Sequence, residues 1–181
     1  SAQQMRTMNI ILLTAIIAVG SGCSRIDWTE LSPDGAFAVS MPGQPSKREA
    51  LIPAGILGEL PVTFYSVNVG NANFSVAYTD YPDGFVETSG VEVMLGAGVR
   101  KLAADPLNHI TLEESVISQG CPSRKVEMES PQTGYATIYQ SYLSGRRVYV
   151  VQVIQPKTLF RSRTADHFME SFTIQTARKM N

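Results

Sequence analysis

The chain has 181 residues, with 15 lysines and arginines against 16 aspartates and glutamates and a net charge of −1. That near-neutral balance excludes nucleic acid as the expected partner, because nucleic-acid-binding domains carry a clustered basic face. It offers no polybasic patch for anionic lipid, and two cysteines cannot build a disulfide scaffold.

The chain opens on a secretion pattern. Arg6 precedes an apolar run from Ile10 to Val19, followed by Gly20-Ser21-Gly22 and then Cys23. A secretory signal has a basic start, about 7 to 15 apolar residues and a small-residue cleavage site. A membrane-spanning helix requires about 20 apolar residues, more than this run supplies. Small residues before the cleavage point let an extended backbone enter a narrow protease groove. A cysteine thiolate is the nucleophile that accepts a diacylglyceryl group. Gly20, Ser21, Gly22 and Cys23 resemble the lipobox of bacterial lipoproteins, with Gly20 standing where a leucine-like residue is commoner. The resemblance implies cleavage between Gly22 and Cys23, lipidation of Cys23, and a place in the cell envelope on the periplasmic side. Ser24, in place of aspartate, implies the outer membrane rather than the inner one. Each buried lipid methylene contributes about 0.8 kcal/mol, so two or three palmitate-type acyl chains hold a stable anchor. Residues 1–22 thus read as a signal peptide, 23–33 as a lipidated tether containing Trp28, and 34–181 as a single domain. A domain of that length buries about 70% of its unfolded surface. An unacylated Cys23 would be free to pair with Cys121, which otherwise reads as a half-buried small hydrophobe.

Asp34-Gly35 marks a turn, and Phe37, Val39 and Met41 alternate with smaller residues as a strand that Pro42-Gly43 ends. The polar stretch from Gln44 to Leu60 suggests a hairpin around Pro53-Ala54-Gly55. Val62–Val69 and Phe74–Thr79 are rich in β-branched and aromatic residues, and Gly70-Asn71-Ala72-Asn73 between them predicts a second hairpin. Asp80-Tyr81-Pro82-Asp83-Gly84 breaks the sheet. Ser89-Gly90-Val91-Glu92 matches a capping box. Val91, Met94, Leu95, Val99 and Leu102 follow at helical spacing until Asp105-Pro106. Gly96 and Gly98 each cost about 1 kcal/mol in a helix interior, which points to close packing against the sheet. Strands follow at Ile110–Ile117, Lys125–Glu129, Tyr135–Leu143 and Arg147–Ile154, the last two joined at Ser144-Gly145. The final one is apolar on both faces, as a central strand covered on both sides would be. A short helix from about Thr158 to Glu170 places Phe160, Phe168 and Met169 inward, and Phe172–Thr176 adds an edge strand.

Short connections imply antiparallel pairing, and helices appear in two places only. The fold class is α+β, a central antiparallel sheet flanked by two helices. Asp34-Gly35-Ala36-Phe37-Ala38-Val39-Ser40-Met41-Pro42 resembles the early strand of PsbP-like proteins. Ser144-Gly145-Arg146-Arg147-Val148-Tyr149-Val150-Val151 resembles their glycine-x-x-tyrosine hairpin, and Phe168-Met169-Glu170-Ser171-Phe172 their closing helix. The resemblance implies an α-β-α sandwich and, in that family, a non-catalytic accessory at a membrane complex. Gln44 to Leu60 shows no such correspondence.

Catalytic constellations are not evident. His109 at a strand start and His167 beside Asp166 both read as ordinary surface histidines, since adjacent helical residues do not face each other. No HExxH, CxxC or G-x-S-x-G spacing occurs. Cys121-Pro122, in a loop, has Arg124 and Lys125 nearby and no identifiable base. Asp80, Asp83 and Glu87 form the best carboxylate group, able to hold calcium weakly in a loop. Arg146, Arg147, Arg161 and Arg163 read as exposed turn charge, or as an anion or partner contact. The expected function is a lipid-anchored envelope module that acts by binding, attached to the membrane through its lipid and assisting an envelope protein partner, with no cofactor. The competing class is an envelope hydrolase or thiol enzyme with scattered residues.

Overall fold

The computed structural model describes residues Arg25–Gln175; Gly22 and Cys23, and with them the signal and lipidation readings, lie outside the described residues. The chain first lays down β1 (Thr29–Leu31) and β2 (Phe37–Met41), joined by a 3-10 turn at Pro33–Gly35. Residues 29–31, read above as tether, are therefore part of the folded structure, pairing antiparallel with β2. Trp28 beside them packs on the domain, edge-on to His167 with ring centroids 4.3 Å apart.

Seven strands follow: β3 (Ser46–Pro53), β4 (Glu59–Val69), β5 (Ala72–Asp80), β6 (His109–Ser118), β7 (Cys121–Ser130), β8 (Tyr135–Ser144) and β9 (Arg147–Pro156). They make one antiparallel sheet in the order β3-β4-β5-β9-β8-β7-β6. Two meanders of hairpins thus meet at the β5–β9 seam, and β9 is the middle strand, as its two apolar faces require. Tyr149, Val151 and Val153 enter one core with Phe37, Phe74 and Phe168. Val148 packs on the opposite face with Met94 and Leu95.

Between β5 and β6 the chain must travel from the centre of the sheet to its far edge. It does so through α1 (Phe85–Ser89) and α2 (Val91–Ala103), the second of which crosses over β7 and β8. On the other face lies α3 (Arg163–Ser171), then β10 (Thr173–Ile174), which pairs with β2. The molecule is a layered α+β structure: α1 and α2 on one face of the antiparallel sheet, α3 and the small sheet β1-β2-β10 on the other.

Several local expectations are corrected. Ser89 closes α1 and does not cap α2, whose N-cap is Gly90 without a side-chain bond. Glu92 instead pairs with Arg124 of β7, which also holds Glu113 at 2.8 Å. The five-residue α1 had no periodic signal. The closing helix begins at Arg163, not Thr158, because the Ser162 hydroxyl caps it by accepting from the Ala165 N–H. Phe160 is left half-buried in the preceding turn. The residues after Phe172 join the small sheet, not the edge of the large one. The β8–β9 turn is Gly145-Arg146, one residue later than read.

Cys121 is not in a loop: it begins β7, facing Ser118 across the two-residue turn Gln119-Gly120. Both turn residues have positive φ, +54° and +74°, as a type I′ hairpin demands. Gln119 is an unusual occupant, and its side chain accounts for it. Its amide nitrogen donates to the Phe172 carbonyl and its amide oxygen accepts from the Ile174 N–H, both at 2.8 Å. The turn thereby anchors β10.

Candidate functional site

The course of α2 creates a cavity. Because α2 lies over β7 and β8 and reaches Val148 of β9, the same face of β4 and β5 beyond it is left without a close helix contact. The result is a pocket of about 550 Å³ between α2 and the tip of the β3–β4 hairpin, within the range of about 300 to 1,000 Å³ typical of small-molecule sites. Its floor is made by alternate residues of three strands, Val62 and Phe64 of β4, Ala77 of β5, and Val148 and Val150 of β9. One wall is the α2 face carrying Met94, Ala97 and Leu102; the far lip is Ile52 to Leu57. Tyr81 and Phe85 close one end, stacked nearly parallel at 5.7 Å.

Few polar groups enter this apolar space. Burial pushes the Tyr139 hydroxyl up to about 12, so it stays a protonated donor at neutral pH. Burial also raises Tyr81, against the opposing pull of the nearby Arg100 guanidinium. Arg100 and Lys101 stand at the rim, and among the described residues no acid, histidine or cysteine lines the pocket.

Gly98 sets how closely α2 approaches the floor. A Cβ there would overlap the Tyr139 hydroxyl oxygen, so only glycine fits beside this tyrosine. The sequence reading of close packing at this position is correct. Gly98→Ala should therefore lose stability despite the helix propensity of alanine. Overpacking costs about 1–3 kcal/mol, and the better helix former returns about 1 kcal/mol, leaving a net loss of up to about 2. Tyr139→Phe, in the double variant, removes the clashing oxygen and should recover most of that loss in urea denaturation. An additive double variant would show that the contact is not the cause.

The residues singled out from the sequence lie elsewhere. Asp80 is taken by Arg147, whose guanidinium donates two hydrogen bonds of 2.7 Å to its carboxylate. Asp83 lies 3.5 Å from Arg146, and Glu87 is on α1. No group of three or more potential metal-ligating side chains occurs among the described residues. The structure does not gather Asp80, Asp83 and Glu87 into one carboxylate group: Arg147 is bonded to Asp80 and Arg146 lies beside Asp83. His109 is exposed at the start of β6, His167 is against Trp28, and Cys121 is half-buried. None of these three lines the pocket. None lines the second cavity either, a more polar groove of about 470 Å³ between α3 and β6–β8. The pocket residues themselves went unnoticed in the sequence, since Val62 and Phe64 look like any core strand. The two-faced β9 and the glycine pair of α2 were the available signals.

No protein-family model matches the chain. A comparison with curated proteins likewise finds no match. Among solved structures the chain is similar to cyanobacterial PsbP (CyanoP) from Synechocystis sp. PCC 6803, with a TM-score of 0.56 at 10% identity, covering 87% of this chain and 98% of that one. It is also similar to a protein of unknown function from Pseudomonas aeruginosa, with a TM-score of 0.47 at 10% identity, covering 83% and 99%. The first likeness shows the fold: PsbP-like α+β, as the strand and hairpin resemblances imply.

Proposed function

We propose that this chain is a lipid-anchored module of the cell envelope, held at Cys23 on the periplasmic side of the outer membrane. It acts by binding, as an accessory to a membrane or envelope assembly. The observation that carries the binding half is the apolar pocket of about 550 Å³ beside α2, whose lining among the described residues holds no carboxylate, imidazole or thiol. A general base or nucleophile must reach the reacting atom directly or through one water, and His109, His167 and Cys121 are not among the residues that line this space. The anchoring half is supported by the order Arg6, apolar run, Gly20-Ser21-Gly22, Cys23.

Each half has its test. The intact mass of the N-terminal peptide from native membranes should begin at Cys23 and carry a diacylglyceryl group; an unmodified terminus overturns the anchor. A neutral apolar fluorophore should bind the purified protein with its emission enhanced. Ala77→Phe, which fills the floor, should abolish that signal. Undiminished binding by the filled variant overturns the pocket as the binding site.

A further inference from the structure

We infer that the pocket takes a single-chain amphiphile with an anionic head, its chain on the sheet floor and its head at Arg100 and Lys101. This rests on the pocket being the binding site, as proposed above.

The shape and the charge point the same way. The floor crosses from β4 through β5 to β9, two inter-strand steps or about 10 Å, and the lining continues to Tyr139 of β8. An elongated apolar body fits that path, and a chain laid along it gains at most about fourfold in affinity for each methylene removed from water. The rim supplies charge of one sign. Arg100 and Lys101 belong to the pocket lining, and neither forms an ion pair with an acid among the described residues. Arg100 spends one donor on the Val93 carbonyl at 3.1 Å and keeps others free. Apolar space bordered by two cations and, among the described residues, no acid is complementary to an anion with a hydrocarbon tail. A neutral hydrocarbon would leave these charges unused, and a cationic amphiphile would be repelled. A carboxylate head and a phosphate head share this chemistry.

The test uses the full chain with a neutral apolar dye in the pocket, displaced by hexadecanoate, lysophosphatidylglycerol or hexadecanol at concentrations below micelle formation. At least one of the two anions should displace the dye at a concentration ten or more times lower than the alcohol, and added salt should narrow that gap. A preference for hexadecanoate assigns a free fatty acid; a preference for the lysolipid assigns a lipid headgroup. Arg100→Glu and Lys101→Glu reverse the charge of exposed side chains, and each should lose the preference for the anions over the alcohol. If hexadecanol competes as well as both anions, or the charge reversals leave the preference intact, the anionic head is overturned while the pocket stands. If the dye does not bind at all, or Ala77→Phe leaves every displacement unchanged, the pocket reading falls and this inference with it.

Discussion

Replacing Phe37 by alanine is expected to destabilise the protein by about 3–5 kcal/mol, the range for truncating a buried phenylalanine. The small sheet explains why the loss falls at the upper end. Strand β2 pairs only with β1 and β10 and makes no ladder with the seven-stranded sheet. Its attachment to that sheet is through side chains, and Phe37 is fully buried at the centre of them. Its ring lies 5.6 to 6.2 Å from those of Tyr65, Tyr78, Tyr149 and Phe172. These come from β4, β5, β9 and the segment before β10, so one ring joins four parts of the chain. The hole left by alanine cannot readily close, because Tyr149 is held in place by donating its hydroxyl to the Ala36 carbonyl at 3.3 Å. Phe37→Leu, which keeps most of the volume, should cost about 1–2 kcal/mol. Urea denaturation followed by circular dichroism measures both. Hydrogen exchange should show β1 and β10 opening before the large sheet in the alanine variant. A loss below about 1 kcal/mol would mean that other contacts dock the small sheet.

The same contrast between local and distant contacts decides what the sequence discloses. The meander from β3 to β5 and the β8–β9 hairpin are legible because glycine-bearing turns and alternating strands are local signals. The centrality of β9 is legible too, since both of its faces are apolar. By contrast β1 and β10 are strands of three and two residues, defined only by their pairing with β2. Nothing within Thr29–Leu31 distinguishes a tether from a strand until Met41 to Val39 is laid beside it. Gln119-Gly120 was missed because glutamine seldom takes positive φ, and here the compensating bonds come from residues more than fifty positions away. The start of β7 was hidden by Pro122, which is tolerated because it is only the second residue of its strand. The pocket is the least legible feature. It exists because α2 covers one half of a sheet face and leaves the other, and that is a property of the crossover's path, carried by no motif.

Asp80→Ala should lose about 1.5–3 kcal/mol near neutral pH, the range for hydrogen bonds to charged groups. Arg147 holds the Asp80 carboxylate through two parallel bonds and lies over the Tyr78 ring, 4.5 Å from its centroid. Both side chains are about a third exposed, so the loss is smaller than for a fully buried pair. Without the carboxylate, the guanidinium remains half-buried against Tyr78 and Tyr149 with no opposite charge beside it. Asp83→Ala is the control: its side chain is 94% exposed and 3.5 Å from Arg146, and its loss should be within about 0.5 kcal/mol. The dependence on pH separates the charge from the packing. The hydrogen bonds from Arg147, with its positive charge, hold the Asp80 carboxyl below its usual range, against the opposing effect of burial. A group depressed in the folded state contributes stability in full above its unfolded value of about 3.9, and loses it as pH falls through the folded one. The difference between wild type and Asp80→Ala should thus be constant from pH 8 to about 5 and shrink below about 4. Equal losses at pH 3 and pH 7 would assign the effect to packing alone. Millimolar calcium should leave the wild-type melting temperature unchanged, because a cation would have to displace Arg147 from Asp80; a rise of several degrees would show that it does.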